Sequence, residues 1–369
     1  MAAWFQFKHK NCIITWLFPS GGIRKLVRYD REGMKNMKTV AFIGGGSFGT
    51  ALSTVLAGKG CRINIYDIDQ DHLTRMAADM ENKDYLPGVK LEGDYHFCKT
   101  NEEALRDADF VIFALPAQHV RSAIKAAVPY IREDALVTCI SKGLEQKTHK
   151  RMSEVIGEYF DLDRYVCISG PSHAEEVGIG VPTVVAMSSK KESSAMAMAE
   201  LFSTNKFRVY LNDDMMGMEL AASLKNVLAV GSGIVNGAGY GDNTLAALLT
   251  IGCAEATSLG VVMGARPSTF FGLAGIGDMI VTCTSIHSRN FRCGRLLGKG
   301  YKPEDAIKEI GMVSEGMYTA EVVKELSEST GVDMPVFNAI YDVINGRITV
   351  ADAMEDLMCR PVGHEADYL

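Results

Sequence analysis

A glycine turn and a lysine in an apolar setting are the features of this sequence most suited to chemistry. Gly44, Gly46 and Gly49 form a G-x-G-x-x-G within Gly44-Gly45-Gly46-Ser47-Phe48-Gly49, and Asp67 lies 21 residues beyond Gly46. The pattern suits a dinucleotide. Gly44 allows a tight turn, Gly46 lets the backbone approach a pyrophosphate, and Gly49 lets a helix pack on a strand. A helix N-terminus then offers free N–H groups and the positive end of its dipole to the phosphates. Asp67 is placed to accept hydrogen bonds from the adenosine ribose hydroxyls. The second anomaly is Lys225. With Asn226 it interrupts the small-residue, apolar run Glu219–Gly239, in which Leu220, Leu224, Val227 and Leu228 keep helical spacing. A lysine in a helix of that composition needs a partner or a task.

The elements around the turn give it specificity. Lys38–Ile43 is a β-branched strand before it, Thr50–Lys59 a helix after it, and Arg62–Tyr66 a second strand closing on Asp67. Further strands are predicted at Asp109–Leu115, Ala135–Ile140, Arg164–Ile168, Thr183–Met187 and Phe207–Leu211, with a helix at Gln118–Val128. Ser141-Lys142-Gly143 and Ser169-Gly170-Pro171-Ser172 follow two of these strands. Continuous apolar strands alternating with helices predict an α/β N-terminal domain, a Rossmann-type doubly wound, mostly parallel sheet with polar groups at the strand ends. From about Met215 strand signals fade. Helices are predicted at Glu219–Gly239, Ala246–Leu259, Pro303–Ile310, Tyr318–Ser327 and from Met334 to near Cys359, an all-α C-terminal domain. The expected boundaries are 1–36 for a basic leader, 37–218 for the nucleotide domain and 219–369 for the helical domain.

Composition narrows the function classes. The 369 residues carry a net charge of −7, which argues against a nucleic-acid binder. Residues 1–36 hold seven basic residues against Asp30 and Glu32, so the leader is +5 and the remainder −12. Its apolar stretch, residues 11–18, is too short and lacks the cleavage site of a signal peptide; the leader is read as dispensable. No run of 18 apolar residues predicts a membrane span. The nine cysteines are scattered with no C-x-x-C, as expected of reduced thiols in a cytoplasmic protein, and no cluster has metal-ligand spacing, so no metal is expected. Glycine is frequent, at 36 residues, without a collagen period; it must serve turns and close backbone contacts. His119, His173 and His287 are isolated and are read as ordinary hydrogen-bonded residues.

Six collinear segments, GGGSFGTAL, SKGLE, ISGPSHAEEV, LKNVLAVGSGIVNG, GLAGIGDMIVTCTS and HSRNFRCG, resemble the NAD(P)-dependent sn-glycerol-3-phosphate dehydrogenases of the bacterial type. The resemblance runs from about Met37 to Leu357 and implies a Rossmann-type domain followed by an all-α domain. It also implies reversible reduction of dihydroxyacetone phosphate to sn-glycerol 3-phosphate, a precursor of glycerophospholipids, with NAD(H) or NADP(H).

Reduction of a ketone builds negative charge on its oxygen, and a proton donor must stand there. Lys225 is the expected acid in reduction and base in oxidation, with Lys142 as a neighbouring cation that lowers its pKa. Asn226 and Asp278 are expected to orient Lys225 and the substrate, with the Thr282 hydroxyl one helical turn beyond Asp278. A phosphorylated substrate calls for a fixed guanidinium, supplied by Arg289 between Ser288 and Asn290. The resemblance further implies substrate contacts at Gly170 and Ser172. It implies cofactor contacts at Ser47, Phe48, Lys142, Ala174, Arg289, Val313 and Glu315, the last at the nicotinamide side. One residue departs from an NADPH pattern: Asp67 beside a ribose 2′-phosphate is repulsive, so NAD(H) is the expected preference. Competing readings are a two-domain dehydrogenase of a β-hydroxy acid and a non-catalytic dinucleotide sensor. The chain is also expected to be a homodimer.

Overall fold

The computed structural model describes residues 37–311 and 314–364; the leader and Val313 lie outside the described residues. The first half is an eight-stranded sheet in the order β3-β2-β1-β4-β5-β6-β7-β8. Its strands are β1 (Thr39–Ile43), β2 (Arg62–Tyr66), β3 (Asp94–Cys98), β4 (Phe110–Phe113), β5 (Leu136–Cys139), β6 (Tyr165–Ser169), β7 (Thr183–Ser188) and β8 (Phe207–Leu211). The connecting helices are α1 (Ser47–Ala57), α2 (Gln70–Asp79), α3 (Asn101–Leu105), α4 (Val120–Ala127), α5 (Met152–Gly157), α6 (Ala174–Gly178) and α7 (Glu192–Phe202). β1 pairs with β2 on one side and β4 on the other, and its core residues Val40 and Ala41 are fully buried. The strand order reverses there, and the crevice at such a switch point is where α/β sheets bind ligands.

Two strand features were not read from the sequence. β3 is an edge strand whose polar Asp94 and His96 break the apolar run that marks the central strands. Among the described strands every pairing is parallel except β6 with β7. The chain turns back after β6 at Gly170, whose φ of +143° is open to glycine and strained for other residues.

The second half is helical: α8 (Met215–Gly237), α9 (Asp242–Val262), α10 (Pro267–Phe270), α11 (Asp278–Cys283), α12 (Arg289–Gly298), α13 (Pro303–Ile310), α14 (Glu315–Thr330), α15 (Pro335–Ile344) and α16 (Val350–Met358). α8 begins four residues before the boundary drawn at Glu219, capped by the Asp214 carboxylate, which accepts from Gly217 N. Both α8 and α9 reach the length and hydropathy of a membrane span, yet the α8 window is 100% buried inside the protein. α8 is the axis on which α9, α10, α11, α12, α14 and α15 pack, with α13 against α12 and α16 against α15. Its Gly233 and Gly237 face Gly294 and Gly298 of α12 so closely that a Cβ on Gly294 would lie 1.9 Å from the Val230 carbonyl oxygen.

A buried ion pair ties α8 to the sheet half. Glu219 accepts from Arg151 at 2.8 Å, from Ser153 N at 2.7 Å and from Ser153 Oγ at 2.6 Å. Burial raises the Glu219 carboxyl pKa, and Arg151 and Ser153 act against that rise. Removing the arginine leaves the carboxylate uncompensated. Arg151→Met is therefore expected to lower stability by about 3 kcal/mol, measured by urea unfolding at neutral pH. An unchanged midpoint would contradict this account of the anchor.

Candidate active site

Two lysines from opposite halves of the chain meet on one carboxylate. Lys142 follows β5, where the strand end releases it toward the crevice. Lys225 projects from the middle of α8, and Asp278 is the first residue of α11. Asp278 Oδ1 accepts from Lys225 Nζ at 3.0 Å and Oδ2 accepts from Lys142 Nζ at 2.8 Å. Lys142 also donates to the Gly170 carbonyl at 3.2 Å. The Thr282 hydroxyl, one turn along α11, accepts from Lys225 at 2.6 Å and itself donates to the Asp278 carbonyl at 2.6 Å. These contacts use two of the three N–H groups of the Lys225 ammonium and leave one to point elsewhere.

The electrostatics follow from burial. Desolvation is the largest influence on Lys225; Asp278 opposes it, Lys142 adds to it, and the pKa falls to about 8. Burial alone would raise the Asp278 carboxyl, but the two ammonium groups override it, and the carboxyl stays below its ordinary value. The cluster is an ionised carboxylate between a cation and an amine poised to exchange a proton near neutral pH.

The expected amides take a different part. Asn226 does not reach Lys225. Its Nδ2 donates to the Lys142 carbonyl at 2.7 Å, and its Oδ1 accepts from Asn290 Nδ2 at 2.9 Å. Asn290 Oδ1 in turn accepts from Ser314 Oγ at 2.5 Å and Gly316 N at 3.0 Å. This buried chain joins the Lys142 loop, α8, α12 and the start of α14. Ser288 caps α12, its Oγ accepting from Phe291 N at 3.2 Å. Arg289, the first residue of α12, is exposed at that helix N-terminus, and its charge acts on the Glu315 carboxylate. Ser172 Oγ donates to the Gly170 carbonyl at 2.9 Å, within the same turn that receives Lys142.

The crevice has the features a dinucleotide requires. Gly44 sits at φ +110°, and a Cβ there would lie 2.4 Å from the Ala114 carbonyl oxygen. Gly49 packs its bare Cα face on Ala114, whereas the space over Gly46 is open to 3.9 Å. No side chain caps the N-terminus of α1 among the described residues. Asp67 accepts from Gly45 N at 2.6 Å and from Asp69 N at 2.9 Å, which fixes its carboxylate against the turn. Phe48 lies with its ring 5.8 Å below the Lys142 ammonium, linking the turn to the lysine pair. Glu315 Oε1 accepts from Ala117 N at 2.9 Å, while Oε2 is buried without a partner among the described residues. An orphaned carboxylate oxygen costs free energy unless a donor arrives, and the carboxamide of a nicotinamide is such a donor. The residues present therefore fit the cofactor.

Of the residues expected from the sequence, the structure joins Lys142, Lys225, Asp278, Thr282 and Gly170 by direct contacts, brings Phe48 to Lys142, and places Ala174 buried at the start of α6. Ser47 is the first residue of α1. Sequence reasoning missed Ser314 and the pair His72 and Asn82, which hold the Gly45 carbonyl at 3.2 and 2.7 Å. No local pattern marks these three, because each acts through a contact distant in sequence.

A glycine-turn sheet joined to a helical domain that carries a buried lysine and an orphaned acid defines a two-domain nicotinamide-dependent dehydrogenase. The chain belongs to the NAD-dependent glycerol-3-phosphate dehydrogenase family: the family's N-terminus description matches residues 39–195 and its C-terminus description residues 214–355. It is 45% identical over 336 residues to glycerol-3-phosphate dehydrogenase [NAD(P)+] of Bacillus velezensis, covering 90% of this chain and 97% of that protein. The corresponding protein of Bacillus subtilis is 44% identical, with the same coverage. The crystal structure of glycerol-3-phosphate dehydrogenase from Coxiella burnetii superposes with a TM-score of 0.83 at 32% identity, covering 88% of this chain and 99% of that one.

Proposed function

We propose that this protein catalyses reversible hydride transfer between NAD(P)H and dihydroxyacetone phosphate, giving sn-glycerol 3-phosphate for glycerophospholipid synthesis. The observation that carries the reading is the Asp278 carboxylate shared by Lys142 and Lys225. When bound, the nicotinamide cofactor supplies or accepts the hydride. The chain does the rest. Lys225 gives a proton to the carbonyl oxygen in reduction and takes it back in oxidation. Lys142 adds a second positive charge beside the developing oxyanion. Asp278 and Thr282 fix the Lys225 amine, and Asn226 fixes the Lys142 backbone. Arg289 pairs with the substrate phosphate at the N-terminus of α12. Gly170 and Ser172 line the substrate, and Ser47, Phe48, Ala174 and Glu315 line the cofactor. Val313 belongs to the same reading. NADH oxidation with dihydroxyacetone phosphate tests the proposal; turnover with a non-phosphorylated ketone but none with the phosphate overturns it.

NAD(H) is the proposed preference. Asp67 is pinned at the turn by two backbone N–H groups, so it cannot swing away from a 2′-phosphate. Arg62, the cation nearest in sequence, stands at the opposite end of β2 and reaches toward His96, so it is not placed to offset that repulsion. kcat/KM for NADH is expected to exceed that for NADPH by about tenfold or more, the scale of one uncompensated charge contact. A ratio favouring NADPH would refute it. The reading includes a cytoplasmic location and a homodimer, the dimer alone being supported by the exposed apolar residues Ile251, Val261 and Val262 on α9.

A further inference from the structure

His173 has no part in the roles above, yet it touches the catalytic helix. It immediately precedes α6, in the turn that carries Gly170 and Ser172, and is half-buried. Its Nε2 lies 3.0 Å from the carbonyl oxygen of Val281 on α11. A carbonyl oxygen only accepts, so Nε2 must carry the proton in this contact. Burial is the largest influence on the imidazole pKa and lowers it; the Val281 bond and Glu175 oppose the fall, and Lys225 and Lys142 add to it. Burial thus favours the neutral ring, and the Val281 contact places its hydrogen on Nε2.

The place of this bond matters. α11 has only six residues and follows an irregular turn in which Gly275 leaves helical φ/ψ. A helix that short has few internal hydrogen bonds, and its last carbonyls need partners from outside. At its start, a Cβ added to Gly277 would lie 3.6 Å from Pro171. Near its end, the His173 bond takes the Val281 carbonyl, one residue before Thr282, which contacts Lys225. The His173 ring also lies 5.9 Å from that of His287, which adjoins Ser288 and Arg289.

We propose that His173 is a positioning residue: its Nε2–H pins α11 to the Gly170–Ser172 turn and so sets the Lys225–Thr282–Asp278 geometry in which the proton moves. The inference rests on the reading of Lys225 as the proton-transfer group. His173→Phe keeps an aromatic ring but cannot donate, whereas His173→Gln carries an amide N–H that can reach the same carbonyl. With NADH and dihydroxyacetone phosphate, His173→Phe is expected to lower kcat by about tenfold, the scale of a sub-ångström misplacement of a catalytic group. The KM for NADH should stay within about twofold, because the side chain replaced contacts α11 and not the glycine turn. The upper break of the kcat–pH profile should move to lower pH, since Lys225 loses acceptors that stabilise its charged form. His173→Gln should restore most of kcat and the original break. Wild-type kcat with an unmoved break in His173→Phe overturns the proposal, and so does a Gln variant as impaired as the Phe variant. If His173→Phe does not fold, judged by its thermal unfolding, His173→Gln alone decides: it must keep the wild-type break. Lys225→Ala run in parallel separates the two levels, because a fully active Lys225→Ala removes the underlying reading itself.

Discussion

Lys225→Ala is expected to lower kcat in both directions by about 10²–10⁴-fold, the usual contribution of a positioned acid–base group. The pH profile carries the sharper signature. Burial places the Lys225 pKa at about 8. Reduction needs the protonated amine, so kcat for dihydroxyacetone phosphate should be flat below that pH and fall above it. Oxidation needs the free amine, so kcat for glycerol 3-phosphate should rise with pH to a plateau above it. Both breaks should vanish in the alanine variant. Stability gives an independent check. The lysine titrates near 8 in the folded state against an ordinary 10.5, so between those values the unfolded chain binds more protons. Stability contributed at this site therefore rises with pH across that window, and the full penalty is present below it. Lys225→Ala should flatten that slope. Steady-state rates and urea unfolding across a pH range of about two units on either side of the folded-state value measure both, with the stability slope expected in its upper half. Wild-type turnover in the variant would remove Lys225 from the mechanism.

Gly294→Ala is expected to be the most damaging of the small substitutions. A methyl group there would lie 1.9 Å from the Val230 carbonyl, and the neighbouring contacts at Gly233, Gly237 and Gly298 are 2.1, 2.1 and 2.2 Å from opposing backbone oxygens. Backbone cannot rotate aside as a side chain can, so the two helices must separate. The expected cost is about 3 kcal/mol or more, at the upper end for overpacking. Activity should suffer with stability, because α12 begins with Arg289 and Asn290 while α8 carries Lys225 and Asn226. Urea midpoints and kcat/KM on the same preparation test this. A variant with wild-type stability would show that the helices tolerate separation.

Much of the architecture was legible because it is written locally. The strand before Gly44, the helix after Gly49 and the strand ending at Asp67 state their own periods. Asp278 and Thr282 are one turn apart and share a partner. What stayed hidden depends on contacts across the chain. β3 lacks an apolar run because it lies at an edge, and nothing in β6 or β7 announces their antiparallel pairing. Asn226 follows Lys225 in sequence, so it reads as its companion. On α8 the two adjacent side chains leave the axis in different directions, and Asn226 turns to Lys142 and Asn290 instead. The high glycine content signals close backbone contact. Which helices are in contact is a tertiary fact.

The tight crossing of α8 and α12 acts as a caliper. One jaw carries the Lys225 amine, proposed to meet the carbonyl end of the substrate, and the other the Arg289 guanidinium, proposed to meet its phosphate. Because the helices touch backbone to backbone, the gap between the jaws is fixed by atoms that have no rotamers. On that proposal substrate length is gauged within the helical half of the chain, and cofactor choice at the Asp67 turn of the sheet half. The two selectivities can change separately: dinucleotide preference can drift through a few residues after β2 without altering which carbon chain is accepted.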